Sequence, residues 1–327
     1  MRAPIGLSAI APACIIVVLL GWTVGVRAQD YPSKPVRFIV PFTAGGAIDI
    51  VARTVTQKLI EYLNIQMVVD NRPGAGGNVG AEIAAKSPPD GYTIFVCNIT
   101  NAVYPSLYRK PTYDPLRDFV PLTLAASFAY ILSVHPSMPV KSVRELVELA
   151  KRRPDEITYG SSGVGSPPHF AGEMMSIMTG IRMTHVPYGG NPQAQQDLLG
   201  GHIQVLFINT ANALPLIKAG RVKGLAVSSP QRSQLAPGLP TMAESGLPGF
   251  DINSWAGFCA PAKTPDAIVA KLNAEFTKAL GSSEVKKKLL VQGFEVTALP
   301  PEKFHVYFKS EIDKYAKLVR EAKIEAQ

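Results

Sequence analysis

Short apolar runs of strand length alternate with stretches of helical periodicity along most of this chain, and that alternation constrains its fold more than any single motif does. Val36-Arg37-Phe38-Ile39-Val40 is followed by Ile48, Val51, Ala52, Val55 and Leu59 at spacings of three and four, then by Met67-Val68-Val69; this reads as a β-α-β unit. A Gly-rich stretch, a short helix over residues 81–85 and an Asp90-Gly91 turn lead to a third strand over 92–97. The order predicts a parallel sheet with right-handed crossovers, whose ligand-binding loops gather at the carboxyl ends of the strands. A second α/β region begins after the extended stretch 119–134. There Ser142 and Glu145 form a capping box for a helix over 143–153. Strands over 157–159, 182–186 and 203–208 then alternate with helices, and the methionines at 174, 175 and 178 read as core filler. Further on, Thr264 caps a helix with Pro265 at its first position. A last helix carries Phe304, Phe308, Ile312, Tyr315 and Val319 on one stripe and closes the first region. Chain crossings near residues 130 and 250 predict two lobes, 29–130 with 251–327 and 131–250, and a cleft between lobes is where small ligands usually bind.

The 327 residues are 46% hydrophobic and 18% charged, enough apolar content for sizeable cores. The formal net charge of +8 comes from no dominant basic tract, which favours small acidic ligands and excludes a nucleic-acid footprint. One long apolar run, residues 5–26, follows Arg2 and precedes Val26-Arg27-Ala28, with small residues at −3 and −1 of a cleavage site. This reads as a secretory signal peptide over 1–28, cut after Ala28; an uncleaved anchor is the alternative, since about 20 apolar residues also span a bilayer. Cys97 and Cys259 each sit in an apolar, strand-like stretch, so two buried thiols and one disulfide both remain open.

Four loops carry candidate chemistry. In Pro41-Phe42-Thr43-Ala44-Gly45-Gly46-Ala47-Ile48-Asp49, glycines permit close backbone approach and the following helix start suits a carboxylate or phosphate; a plain tight turn is the alternative. The second, residues 70–80, has Val79 where a dinucleotide loop needs glycine and reads as a structural turn, with Arg72 as a lobe-anchoring or ligand-facing charge. In the third, Ser161-Ser162-Gly163-Val164-Gly165-Ser166, hydroxyls and amides converge into a candidate anion site, with His169 as a hydrogen-bonding residue at the helix start. A serine-hydrolase reading lacks the G-x-S-x-G elbow and an acid to orient a base. In the fourth, Tyr188 either walls the cleft and donates its hydroxyl or is a half-buried core tyrosine. Histidines 135, 185, 202 and 305 form no i, i+4 pair and join no Cys cluster, so neither a metal site nor a cofactor is expected.

Seven segments in order, among them YPSKPVRFIVPFTAGGAID, VVDNRPGAGGNVGAEIAA, YGSSGVGSPPHFAGE and VPYGGNPQAQQDLLGGHIQVLF, resemble the periplasmic receptors of tripartite tricarboxylate transporters, also called Bug proteins. The resemblance implies a two-lobed, periplasmic-binding-protein-like (type II) α/β fold that closes around a small carboxylate. It also implies a monomer in the periplasm and a membrane permease as partner. It places the grip on loop 43–49 and loop 161–166, through main-chain amides, hydroxyls and ordered water. Asp49, an acid beside a bound anion, is then assigned to capping, loop geometry or a bridging water. Where such proteins carry small residues, this chain has Cys97-Asn98-Ile99-Thr100-Asn101 after the third strand; Asn98 and Asn101, with Asn191 and Asn209, would offer amides to a hydroxylated or amide-bearing acid. The rivals to a transport receptor are a sensory subunit docking on a receptor kinase and a cleft hydrolase.

Overall fold

The computed structural model describes residues 31–326, so the leader and its cleavage site lie outside the described residues. The chain forms β1 (Val36–Val40), α1 (Ala47–Leu63), β2 (Met67–Asn71), α2 (Asn78–Ala85), β3 (Thr93–Asn98), α3 (Ile99–Leu107), β4 (Phe119–Phe128) and β5 (Tyr130–Val134). It continues through α4 (Val143–Arg152), β6 (Thr158–Ser161), α5 (Pro167–Thr179), β7 (Thr184–Pro187), α6 (Asn191–Gly200), β8 (Val205–Asn209), α7 (Thr210–Lys218) and β9 (Lys223–Val227). It ends with β10 (Ser254–Pro261), α8 (Asp266–Gly281), α9 (Ser283–Val291), β11 (Glu295–Leu299) and α10 (Pro301–Glu321).

Two sheets result, ordered β11-β4-β10-β3-β1-β2 and β7-β6-β8-β5-β9. The fold is the two-lobed α/β class expected, but neither sheet is wholly parallel. β1, β2 and β3 run parallel, as do β6, β7 and β8. β10, however, returns from the second sheet and inserts antiparallel between β3 and β4, while β5 runs antiparallel to β8. The chain crosses between sheets at Ala129 and again between β9 and β10. Each crossing reverses the direction in which a strand enters its sheet.

Periodicity explains most elements. α1 buries Val51, Ala52, Val55 and Leu59 and stops at Asn64, whose φ of 51° is left-handed. α4 is capped by Ser142, which accepts from Glu145 N; the Glu145 carboxylate returns to Lys141 N, one residue before the position a capping box uses. Thr264 is no cap: its hydroxyl donates to Pro261 O, and Pro265 occupies the cap position of α8. Of the methionines at 174, 175 and 178, only Met175 is core, while Met178 is exposed.

In the first lobe the rings of Phe38, Phe258 and Phe276 pack with centroids 4.5–6.1 Å apart, and Trp255 lies against Phe304 and Phe308 of α10. Each such ring contributes about 1.5–3 kcal/mol on burial. Ile131, Leu198, Leu206 and Val227 centre the second core. Cys97 on β3 and Cys259 on β10 form a disulfide with a Cα–Cα distance of 6.3 Å, which decides the question the sequence left open.

Candidate functional site

The loop between β1 and α1 is organised by Asp49, which is buried although it stands in the first turn of a surface-facing helix. Its Oδ2 accepts from Gly45 N and Arg53 Nε, both at 2.8 Å, and its Oδ1 accepts from Asn71 Nδ2, also at 2.8 Å. Asn71 Nδ2 donates as well to Phe42 O. Burial pushes the Asp49 carboxyl up, but the donors at Arg53, Gly45 and Asn71 outweigh it and hold the group below the ordinary carboxylate range. Asp49 therefore serves loop geometry: it occupies the Gly45 amide and fixes the turn, whose Gly45 has φ 81°. Thr43, Ala44, Gly45 and Ala47 are exposed and Phe42 and Gly46 half-buried. No side chain caps Gly46, so the first-turn amides of α1 keep their donors.

The second loop, between β6 and α5, is held from within. Ser161 is fully buried; its Oγ lies 2.7 Å from His185 Nε2 and accepts from Gly163 N at 3.1 Å. The Ser166 hydroxyl donates to Gly163 O at 2.7 Å and caps nothing, which leaves α5 also without a side-chain cap. His169 behaves as a helix-start residue: its Nδ1 accepts from Gly165 N at 3.1 Å. Ser162, Gly163, Gly165 and Ser166 are half-buried. The serine that meets an imidazole does so through His185, not His169, and it is sealed from solvent with its hydroxyl engaged, which is poor geometry for a nucleophile.

α3, which the periodicity did not reveal, links the two loops. Its cap is Asn98, whose Oδ1 accepts from Thr100 N and Thr100 Oγ1, while Asn101 Oδ1 takes Asn98 N and Asn101 Nδ2 donates to Tyr113. Asn101 thus has both ends occupied inside the first lobe and is not offered to a ligand. Asn98 Nδ2 is buried without a hydrogen-bond partner. A Cβ at Gly77 would lie 3.3 Å from the Phe42 ring and 3.4 Å from Thr100 Oγ1. At the other end of α3, a Cβ at Gly165 would fall 2.5 Å from Leu107 Cδ1, so the lobes touch there.

The remaining candidates are structural in part. The Tyr188 hydroxyl donates to Asp197 at 2.7 Å, and burial followed by that carboxylate pushes it up to about 12. Asn209 caps α7 through Ala211 N. Asn191 is exposed at the start of α6. Arg72 pairs with Asp70 on the surface at 3.0 Å. Among the described residues no group of three or more His, Cys, Asp or Glu is placed to hold a metal ion, and no helix is long and apolar enough to cross a membrane. A cavity of about 380 Å³ lies away from both loops, lined by Ser229, Asp251, Asn253 and Glu295 beside the crossings.

The model of the tripartite tricarboxylate transporter family receptor matches residues 51–324. BugT of Bordetella pertussis is 33% identical over 94% of this chain and 95% of its own. Rpa4515 of Rhodopseudomonas palustris, solved with adipate, is 37% identical with a TM-score of 0.78, covering 91% of this chain and all of that one. MatC of Rhodopseudomonas palustris, solved with bound malate, is 31% identical with a TM-score of 0.73, covering 88% of this chain and all of that one.

Proposed function

This chain belongs to the tripartite tricarboxylate transporter receptor family, and from that premise we propose that it captures a small carboxylate between lobes 29–130 with 251–327 and 131–250. On this reading it is exported through its leader to the periplasm and hands its ligand to a membrane permease of the tripartite type.

One observation carries the carboxylate reading. Six helices follow the parallel strands β1, β2, β3, β6, β7 and β8, and two of them, α3 and α7, are capped by their own asparagines, Asn98 and Asn209. The other four have no side-chain cap; α2 and α6 follow the edge strands β2 and β7, while α1 and α5 start from the glycine-rich loops after the inner strands β1 and β6. Their orphan amides and positive dipole ends are what carboxylate oxygens satisfy. The Asp49 charge does not oppose this, because Arg53 and two amide donors already engage it. The unpartnered Asn98 Nδ2 adds a donor at the same end of the first sheet. Adipate with Rpa4515 and malate with MatC are acids with a carboxylate at each end, which fits one group at each of the α1 and α5 starts.

The test is calorimetry of the mature protein with adipate and with malate, followed by mass analysis of the recovered acid. Saturable binding with the acid intact is expected. An absence of heat and thermal shift with both, or a changed product, would remove the reading.

A further inference from the structure

Beneath the 161–166 loop lie two histidines that the carboxylate reading leaves without a task. His185 comes from β7, where the parallel register sets it opposite Tyr159 of β6. His169 comes from the first turn of α5 and is 5% exposed. The two imidazoles stack with centroids 4.2 Å apart, and the Tyr159 ring stacks on His185 at 4.9 Å. Each ring holds one end of the loop: His185 Nε2 meets Ser161 Oγ, and His169 Nδ1 receives the Gly165 amide.

We propose that His169 and His185 are positioning residues for ligand capture: as a neutral stacked pair they hold the 161–166 loop in its receiving shape, and a proton on His169 Nδ1 releases it. The proposal rests on the reading that this loop grips the ligand. The chemistry follows from donors and acceptors. Nδ1 accepts the Gly165 N–H only with its lone pair free, so a proton there sets donor against donor. The groups facing His169 are few. Glu173 of α5 stands 3.8 Å from Nε2 and takes the Tyr159 hydroxyl, His185 covers one face, and Phe170 lies beside it, itself packed against Tyr315 of α10. Among the described residues no other charged group pairs with either ring. Burial first, then the second imidazole, holds His169 down to about 4, which keeps the pair neutral near pH 7.

The test follows the ligand-free protein by nuclear magnetic resonance from pH 7.5 to 3.5, reading the His169 ring and the Gly163 and Gly165 amides together. The amides should titrate in step with His169. Amides that stay still while His169 titrates would overturn the proposal. In parallel, adipate affinity is measured for wild type and His169→Gln, whose amide oxygen can still accept from Gly165. The ratio of the two at each pH cancels the titration of adipate itself, and wild type should lose affinity relative to the variant progressively below pH 4.5, reaching about fourfold at pH 3.5. A flat ratio also overturns it. If the amides follow His169 but neither adipate nor malate binds at any pH, the loop coupling stands and the carboxylate reading is what fails.

Discussion

Asp49 organises the first loop while its charge is taken up by protein donors rather than offered to the proposed site. Its two oxygens collect the Gly45 amide, Arg53 and Asn71, so it fastens the first loop to α1 and β2. In Asp49→Asn one of those donors would face an NH2 group, and about 1–3 kcal/mol of stability should be lost at pH 7. The sign of the pH dependence is fixed by the direction of the shift. Because the folded carboxyl is held below its ordinary value of 3.8, the stabilisation is present above that value and is lost as pH falls through the lower folded one. Urea midpoints should therefore differ between wild type and Asp49→Asn at pH 7 and converge near pH 2. A gap that persists unchanged in acid would mean that the ionised carboxylate contributes nothing. The sequence singled out Asp49 but not its partners. Asn71 arrives through the β1–β2 register, opposite Val40, and His185 reaches Ser161 through the β6–β7 register. Local spacing does not encode which strand lies beside which, so it could place His169 at the helix start, where its Nδ1 accepts from Gly165 N, but not show that His185 meets Ser161.

At the scale of elements, the long helices were legible because their buried stripes recur in three- and four-residue steps, and β1 to β3 and β6 to β8 because they are short apolar runs, whereas β9, β11 and α7 were not read. α3 was not visible in this way. Six of its nine residues are buried and Pro105 lies inside it, so no polar face alternates with an apolar one. The signal that would have found it is the Asn98-Ile99-Thr100-Asn101 cap, where Asn98 takes the Thr100 amide and Asn101 returns to Asn98 N. β10 was legible as a strand, but its place between β3 and β4 was not, since pairing across more than 120 residues is a tertiary choice. The Cys97–Cys259 bond records that choice covalently, closing a sequence separation of 162. Replacing both cysteines by alanine should cost about 2–4 kcal/mol, chiefly by freeing the unfolded chain. Chemical denaturation of oxidised wild type and the double variant checks this, and equal midpoints would show that packing of β10 alone supplies the stability.

For the whole molecule, the relation of the lobes is set by a few contacts on either side of the crossings. On one side Glu295 of β11 accepts from Ser233 Oγ at 2.6 Å and Gln234 N at 3.0 Å, in the chain between β9 and β10. On the other, Leu107 at the end of α3 rests on Gly165 of the second loop. A ligand held by both loops favours the closed arrangement only by its differential affinity for closed over open, so any side chain that obstructs the Leu107 seat should weaken capture without touching the ligand. Gly165→Ala places a Cβ 2.5 Å from Leu107 Cδ1 and also imposes φ 79° on a residue with a side chain. The two effects are separable. The backbone strain, of order 1 kcal/mol, acts within the second lobe and is unaffected by Leu107. The steric part disappears when Leu107→Ala is added. Adipate affinity should therefore fall about tenfold or more in Gly165→Ala and recover in part in the double variant, while Leu107→Ala alone binds nearly as wild type. Small-angle scattering at saturating adipate should show the compaction of wild type absent in Gly165→Ala and restored in the pair. If the double variant is no better than Gly165→Ala, the loop's own conformation limits capture, and the Leu107 seat plays no part in closure.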